Sequence, residues 1–393
     1  MISRNWPNAF VRACAIISAL CLPLAAQNRV PAIALVDAAD ALTWQNWTRE
    51  AGWQVITAAA GPNDIDSRVK ALAAAVESAI QSGAADSSRI YLAGRGDASS
   101  AVFYAVSRVP DLWAAAAALG GSPRSAVDTN RIFTVNFTQV PVLWIATEDA
   151  KPFADKLKAA NLNLEFQTAS SGANAASVLQ WLAAHKRQIP PTSIDCETNA
   201  PSFARCYWIQ LTKFDAAERN DVLASSRLPA GNGAALDLGG FGYKVDDPGP
   251  GVLVSTLPEK YSGPLKAGDR MVALDGKAIA DARQFQETLE KVTEEKPAVV
   301  TVQRGKDRVR VETRFTLPRR ESGVTARVQA EYLPAEHEIQ IVTRTITELR
   351  VTVPADWLPA TLQWNGLTLE KLKEPGCWKL AVQKELLHAE KCQ

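Results

Sequence analysis

The chain has 393 residues, 47% of them hydrophobic and 22% charged, which suits two to four domains with more than one buried core. Its 43 Lys and Arg against 42 Asp and Glu leave almost no net charge, and no basic stripe breaks the balance. Nucleic acid and anionic membrane surfaces are therefore not indicated as partners.

At the N-terminus, Arg4 and Arg12 precede an apolar run from Ala13 to Leu24, followed by Ala25-Ala26-Gln27. This is the three-part layout of a secretory signal peptide, cleaved after Ala26, in a run too short to span a bilayer comfortably. Residues 1–26 are read as a leader and the mature chain as exported, to the bacterial periplasm or beyond. An uncleaved leader is the one route to a membrane in this reading. Removing the leader leaves Cys196, Cys206, Cys377 and Cys392. Four cysteines in an exported chain point to disulfides. The sequence-local pairing, Cys196 with Cys206 and Cys377 with Cys392, is one of three. No Cys-x-x-Cys occurs and no His sits at ligand spacing, so neither a metal nor another cofactor is expected.

From residue 27 to 190, strand-like and helix-like runs alternate. Ala32–Val36, Gln54–Ala58, Arg89–Ala93, Ala115–Gly120, Val140–Ala146 and Leu162–Thr168 read as strands. Asp64–Ser82, Ser99–Arg108, Phe153–Ala160 and Ala173–His185 read as helices; Ile65, Val69, Leu72, Val76 and Ile80 make an apolar stripe on the first. Alternation of this kind implies a parallel sheet covered on both faces. Pro190-Pro191 ends the region.

The segments "RIYLAGRGDASSAVFYAVSRVPDLWAAAAALGGSP", "PVLWIATEDAKPF" and "LQWLAAHKR" give this region a likeness: it resembles the α/β-hydrolase fold, in its esterase and dienelactone-hydrolase-like branch. The resemblance implies a serine at a tight strand-to-helix turn, an acid after a later strand and a histidine before the last helix. The matching positions here are Gly96, Asp149 and Asn174. Gly96 has no side chain, and the Asn174 amide does not take up a proton near neutrality. The His-Gly often found after the first strand is Asp37-Ala38. Ordinary serine hydrolysis is therefore not expected, and the unit is read as catalytically degenerate. Ser99 and Ser100, after the bend, are expected to satisfy amides at the helix start. Gly94-x-Gly96-x-x-Ser99 lacks the third glycine of a dinucleotide fingerprint.

Residues 191–228 form a linker and the first part of a β-rich unit, with Tyr207–Thr212 as a strand. Residues 321–393 supply the rest: Val324–Tyr332, Glu338–Thr345 and Leu349–Val353 are rich in β-branched residues, and Asn365-Gly366 is a hairpin turn between Leu362–Trp364 and Leu367–Leu369. Trp208, Trp357, Trp364 and Trp378 are read as core, with a polymer-binding platform as the alternative.

Between these halves, residues 229–320 carry "GFGYKV", "SGPLKAGDRMVALDGKAI" and "DARQFQETLEKV". This segment resembles a bacterial PDZ domain. The resemblance makes Gly240, Phe241, Gly242 and Tyr243 a carboxylate-binding loop, because glycines let successive backbone amides face a terminal carboxylate. Lys244 and Val245 continue into the strand that accepts a peptide edge to edge, and Phe285 and Leu289 form the opposite wall. No His stands at the start of that helix, so an apolar final residue is expected on the ligand. The chain as a whole reads as a multidomain peptide- or protein-binding protein. The alternatives are an esterase with an unorthodox nucleophile such as Ser99, and a polymer-binding accessory protein.

Overall fold

The computed structural model describes residues 29–58, 64–169, 174–218, 220, 222–228, 233–244, 247–257, 261–317, 321, 323–383 and 386–392. The expected leader, Ala173 and Val245 lie outside them.

Six strands open the architecture: β1 Val30–Leu35, β2 Gln54–Thr57, β3 Ala85–Arg95, β4 Ala115–Leu119, β5 Val142–Ala146 and β6 Leu164–Thr168. All pair in parallel, in the order β2-β1-β3-β4-β5-β6. Parallel neighbours need crossovers, supplied by α1 Ala41–Thr48, α2 Ile65–Gln81, α3 Ala98–Arg108, α4 Arg124–Val127, α5 Lys151–Ala159 and α6 Ala175–Ala183. Successive strand residues point to opposite faces, so β1 feeds two cores. Ala32 and Ala34 join Val69, Leu72 and Val76 of α2, Val102 and Phe103 of α3, and Leu157 of α5. Ile33 and Leu35 join Trp44 of α1 and Val178 and Leu182 of α6 on the other face. Ala115–Ala118 of β4 are all 0% exposed. Alanine is a poor strand former, so burial between neighbours on both sides makes this a strand.

Helix α1 was not among the expected elements. Its apolar pattern misleads, since Leu42 is 74% exposed while Trp44, two positions on, is buried. Helix α2 forms where its stripe predicts, capped by Asp64, whose carboxylate accepts from the Ser67 N–H at 2.8 Å.

Three short strands follow: β7 Ser193–Thr198, β8 Arg205–Cys206 and β9 Ile209–Phe214. The middle unit comprises β10 Ala235–Leu236, β11 Gly242–Tyr243, β12 Val252–Thr256, β13 Arg270–Leu274, β14 Lys277–Ala278, α7 Ala282–Glu290, β15 Pro297–Arg304 and β16 Asp307–Thr316. The last run is β17 Ala326–Leu333, β18 Glu338–Arg344, β19 Ile346–Val353, β20 Ala360–Trp364, β21 Leu367–Leu372, β22 Gly376–Gln383 and β23 Leu386–Lys391. β7 completes the sheet β21-β20-β18-β17-β7, and β8 and β9 complete β23-β22-β19-β9-β8. Strands from before and after the middle unit thus pair with one another, Cys196 opposite Val328 and Leu211 opposite Leu349. The middle unit closes its own sheet, β10-β16-β15-β13-β12-β11, with β14 on β13.

Both disulfides follow the sequence-local pairing. Cys196–Cys206 joins β7 to β8 and so links the two sheets, while Cys377–Cys392 ties β22 to the residue after β23. One expected strand needs correction. Tyr207–Thr212 is not continuous, because Tyr207 takes φ +53° and the chain turns there between β8 and β9. β8 and β9 pair antiparallel with Cys206 opposite Ile209, so Tyr207-Trp208 is a two-residue hairpin loop whose first position takes positive φ. The Tyr207 hydroxyl reaches the Pro110 carbonyl at 3.4 Å. The Asn365-Gly366 turn forms, with φ +47° and +83°, as a two-residue hairpin requires. Trp208, Trp357 and Trp364 are buried and Trp378 is half-buried. Trp357 stacks on Tyr332 at 4.4 Å and meets Trp208 edge-on at 5.2 Å. These tryptophans pack a core, not an exposed platform.

The tethers of the middle unit are pinned to one stretch of the parallel unit. Thr134 N–H donates to the Ser226 carbonyl (3.0 Å), Leu228 N–H to that of Ile132 (2.8 Å) and Glu321 N–H to that of Thr129 (2.9 Å). Arg108 of α3 donates to Glu321 and to Asn199 Oδ1, both at 2.6 Å, with its guanidinium 4.7 Å from the Tyr104 ring centre.

Candidate functional site

The local chemistry around β11 explains its glycines. Gly239 has φ +73°, and a Cβ there would also lie 2.8 Å from the Tyr261 ring. At Gly242 a Cβ would sit 2.2 Å from Thr256 Oγ1, so a side chain there would have to push the Thr256 hydroxyl out of its place on β12. Gly240 and Phe241 form the turn between them. Tyr261 buttresses this turn: its hydroxyl donates to the Leu238 carbonyl and accepts from the Leu265 N–H at 3.2 Å. Nothing in the sequence around Tyr261 marks it for that role.

β11 is the last strand of its sheet, paired on one side with β12. Phe241 and Tyr243 are half-buried and pack on the middle unit's core, their ring centres 6.1 Å apart. The Tyr243 ring meets Phe285 of α7 edge-on at 6.0 Å, and its hydroxyl accepts from Gln286 Nε2 at 2.9 Å. Strand and helix are thus joined side chain to side chain. Phe285 is 2% exposed and belongs to the core, Leu289 is half-buried beside it, and Lys244 is exposed. Of the expected site residues, the structure brings together Tyr243, Phe285 and Leu289. The added partner Gln286 follows Phe285 directly, but only the tertiary placement of Tyr243 reveals it.

Two carboxylates stabilise the framework. Asp269, 2% exposed, accepts from Arg304 Nε (2.8 Å), Arg304 Nη2 (2.6 Å) and the Lys266 N–H (2.7 Å). Burial works to raise its pKa, yet the hydrogen bonds from Arg304 and Lys266 outweigh it and hold the carboxyl below its ordinary value. Asp247 is likewise lowered, by its hydrogen bond from Arg270.

In the parallel unit, the turn after β3 keeps its shape. Gly96 has φ +55°, its N–H donates to the Leu119 carbonyl at 2.8 Å, and its carbonyl accepts from the Ser99 N–H at 3.0 Å. Gly94 must be small, since a Cβ would lie 2.9 Å from both the Ala98 carbonyl oxygen and a Val102 methyl. Ser99 is 0% exposed, and its hydroxyl donates to the Gly120 carbonyl at 2.6 Å. That corrects the expectation of a helix-start cap: the bond runs to the neighbouring strand's end, not to a helix amide. Ser100 instead pairs its hydroxyl with that of Ser125 at 2.5 Å. Asp149 is exposed in the 3-10 turn Glu148–Ala150 after β5. Asn174 caps α6, accepting from the Ser177 N–H at 3.0 Å, while Ser177 Oγ accepts from the Asn174 N–H. His185 is held by Trp181, ring against ring at 4.3 Å with Nδ1 2.8 Å from the Trp181 carbonyl. His337 sits in a turn between β17 and β18, and His388 lies on β23.

Residues 239–315 match the family model described as PDZ domain. Solved structures similar to the chain include a thermostable esterase (12% identity, TM-score 0.31, covering 42% of this chain and 57% of that one). Others are SOBER1 of Arabidopsis thaliana (15%, 0.30, 40% and 98%) and esterase 2 of Thermogutta terrifontis (12%, 0.29, 42% and 83%). A comparison with curated proteins finds no match. Residues 239–315 are a PDZ domain, a type of module that binds peptide termini or protein segments, joined to a six-stranded parallel α/β unit and a β-rich unit.

Proposed function

We propose that this is an exported peptide- or protein-binding protein that accepts an extended segment as an added strand on β11. The observation that carries this reading is the side of β11 that has no strand partner among the described residues, on a strand that follows directly on the Gly239–Phe241 turn and packs on α7 through Tyr243. An incoming strand pairs its backbone with that edge, and a terminal carboxylate meets the amides of the glycine turn. The Tyr243–Gln286 hydrogen bond bridges strand and helix beside this edge, and an incoming segment has to displace it to seat its side chains between them.

The parallel unit serves as a scaffold without hydrolytic chemistry. In support, Gly96 offers no nucleophile, Ser99 is buried and bonded to a carbonyl, and the Asn174 side chain is committed to capping. Export is supported by the layout of residues 1–26 and by two disulfides. The working units are the leader 1–26, the scaffold 27–190, the PDZ unit 229–320, and a β-rich unit from 191–228 and 321–393.

The test uses the mature, oxidised chain and a panel of peptides with apolar C-terminal residues, followed by fluorescence anisotropy. Saturable binding that weakens about tenfold or more on C-terminal amidation supports carboxylate capture. Binding indifferent to amidation but lost in a β11 variant leaves strand addition without carboxylate capture. No binding by any peptide in the panel overturns the reading.

A further inference from the structure

The groove between β11 and α7 is bridged, and one end of the bridge is far freer to move than the other. The Tyr243 hydroxyl lies 2.9 Å from Gln286 Nε2. Carbon atoms in contact stay about 3.5–4.0 Å apart, so no ligand atom passes between two groups held that closely. A side chain of a strand added to β11 can pass between Tyr243 and Gln286 only after their bond opens.

Neither the ring nor the helix is placed to give way. The Tyr243 ring meets Phe285 edge-on at 6.0 Å, lies 6.1 Å from Phe241, and packs on the core of the middle unit. Helix α7 is fastened at both ends. The Gly251 N–H donates to the carbonyl of Ala280, just before the helix, at 2.9 Å, and the Ala234 N–H to that of Leu289, in its last turn, at 3.1 Å. Between these ties Ala282 and Phe285 are 1% and 2% exposed. Moving the helix outward would break both bonds and wet that apolar surface. Gln286 is under no such restraint. It is half-buried, and its side chain makes no other hydrogen bond among the described residues. Rotating it away from Tyr243 gives up one hydrogen bond, and water can answer both partners.

We propose that Gln286 is a side-chain gate: in the ligand-free chain its bond to Tyr243 shuts a groove of fixed width, and a segment enters when the amide swings aside. The gate rests on the reading of β11 as the receiving edge and adds how that edge is regulated. The apparent affinity is then the intrinsic one reduced by the fraction of chains that stand open. A hydrogen bond of ordinary net strength keeps that fraction at roughly a tenth to a third.

Tyr243→Phe keeps the ring and loses only the hydroxyl, which makes it the informative variant. In anisotropy titrations of the mature, oxidised chain with apolar-ended peptides, it should bind about three- to tenfold more tightly than the parent, through faster association. In a Gln286→Ala background the same change should alter affinity by less than about twofold, because no bond is left to open. A second readout needs no peptide. With isotope-labelled glutamine, the Gln286 side-chain amide resonance should be displaced in the parent and return to the position of free glutamine in Tyr243→Phe. Unchanged or weaker binding by Tyr243→Phe, equal gains with and without Gln286, or an amide resonance at the free position in the parent each overturns the gate and leaves strand addition standing. Absence of peptide binding by the parent and by both variants overturns strand addition, and the gate with it.

Discussion

Arg108 and Glu321 form a 2.6 Å ion pair between residues 213 apart in sequence, with the arginine side chain only 1% exposed. The arginine belongs to α3 of the scaffold, and the glutamate lies on the chain leaving the PDZ unit. Arg131 approaches the same carboxylate at 3.3 Å and Asn199 donates to it at 2.9 Å. This cluster is the electrostatic fastening between scaffold and insert.

Replacing Arg108 by Met removes the shortest of three contacts to a partly buried carboxylate and a charge packed over Tyr104 and Phe133. The expected loss is about 2 kcal/mol in urea unfolding, as for a hydrogen bond to a charged group, since Arg131 and Asn199 still answer the carboxylate. Glu321→Gln keeps hydrogen bonding to Asn199 and should lose on the order of 1 kcal/mol. Equal, negligible losses for both would remove the pair from the account of how the units are joined.

Gly242→Val should abolish peptide binding at β11 by forcing that strand away from Thr256, whose Oγ1 would lie 2.2 Å from the new Cβ. Circular dichroism of the variant should still report the scaffold and β-rich strands. A variant that binds C-terminal peptides as the parent does would show that β11 is not the receiving edge.

A fluorophosphonate probe should leave the protein unlabelled. Gly96→Ser is sterically open, with nothing within 4 Å of the added Cβ, although φ +55° carries a backbone cost of roughly 1–2 kcal/mol. Ester hydrolysis should remain at background in that variant, because Asn174 supplies no base. Labelling of the parent chain that disappears in Ser99→Ala would instead identify Ser99 as a nucleophile.

Stability should fall at both pH extremes for separate reasons. Asp269 is held below its ordinary value of 3.8, so the stability it contributes is complete above 3.8 and is lost as the pH falls from there through its lower folded-state value. Burial pushes Tyr91 up to about 12, so the folded chain keeps a proton that the unfolded chain releases near 10.0. Its contribution is present below pH 10 and disappears as the pH rises toward 12. Urea titrations across the range should show Asp269→Asn flattening the acid limb and Tyr91→Phe the alkaline limb.

Much of the architecture was legible because it rests on local signals. The Ile65–Ile80 stripe, the Asn365-Gly366 turn and the glycine spacing at 240–242 each state a backbone or burial requirement within a few residues. Helix α1 was not legible, since Leu42 faces solvent where a helical stripe would bury it. Tyr207 reads as strand because its loop carries no Asn or Gly, the residues that usually mark a hairpin loop, although it takes the left-handed first position of the β8–β9 turn. The same holds for the functional surfaces. Tyr261 against Leu238 and Gln286 against Tyr243 arise when separate segments meet, and no periodicity announces them.

The interleaving of β7–β9 with β17–β23 also sets an order of assembly. Strands 193–198 and 209–214 emerge early but find their partners, 326–333 and 346–353, only after the whole PDZ unit has been made. The parallel unit and the PDZ unit can each close on contiguous chain, so the β-rich unit is the last to complete and the slowest to find its pairing. Chains truncated after residue 317 should therefore carry two finished units flanking strand edges that have nowhere to pair, which makes the C-terminal seventy-odd residues a checkpoint on whether the protein is complete.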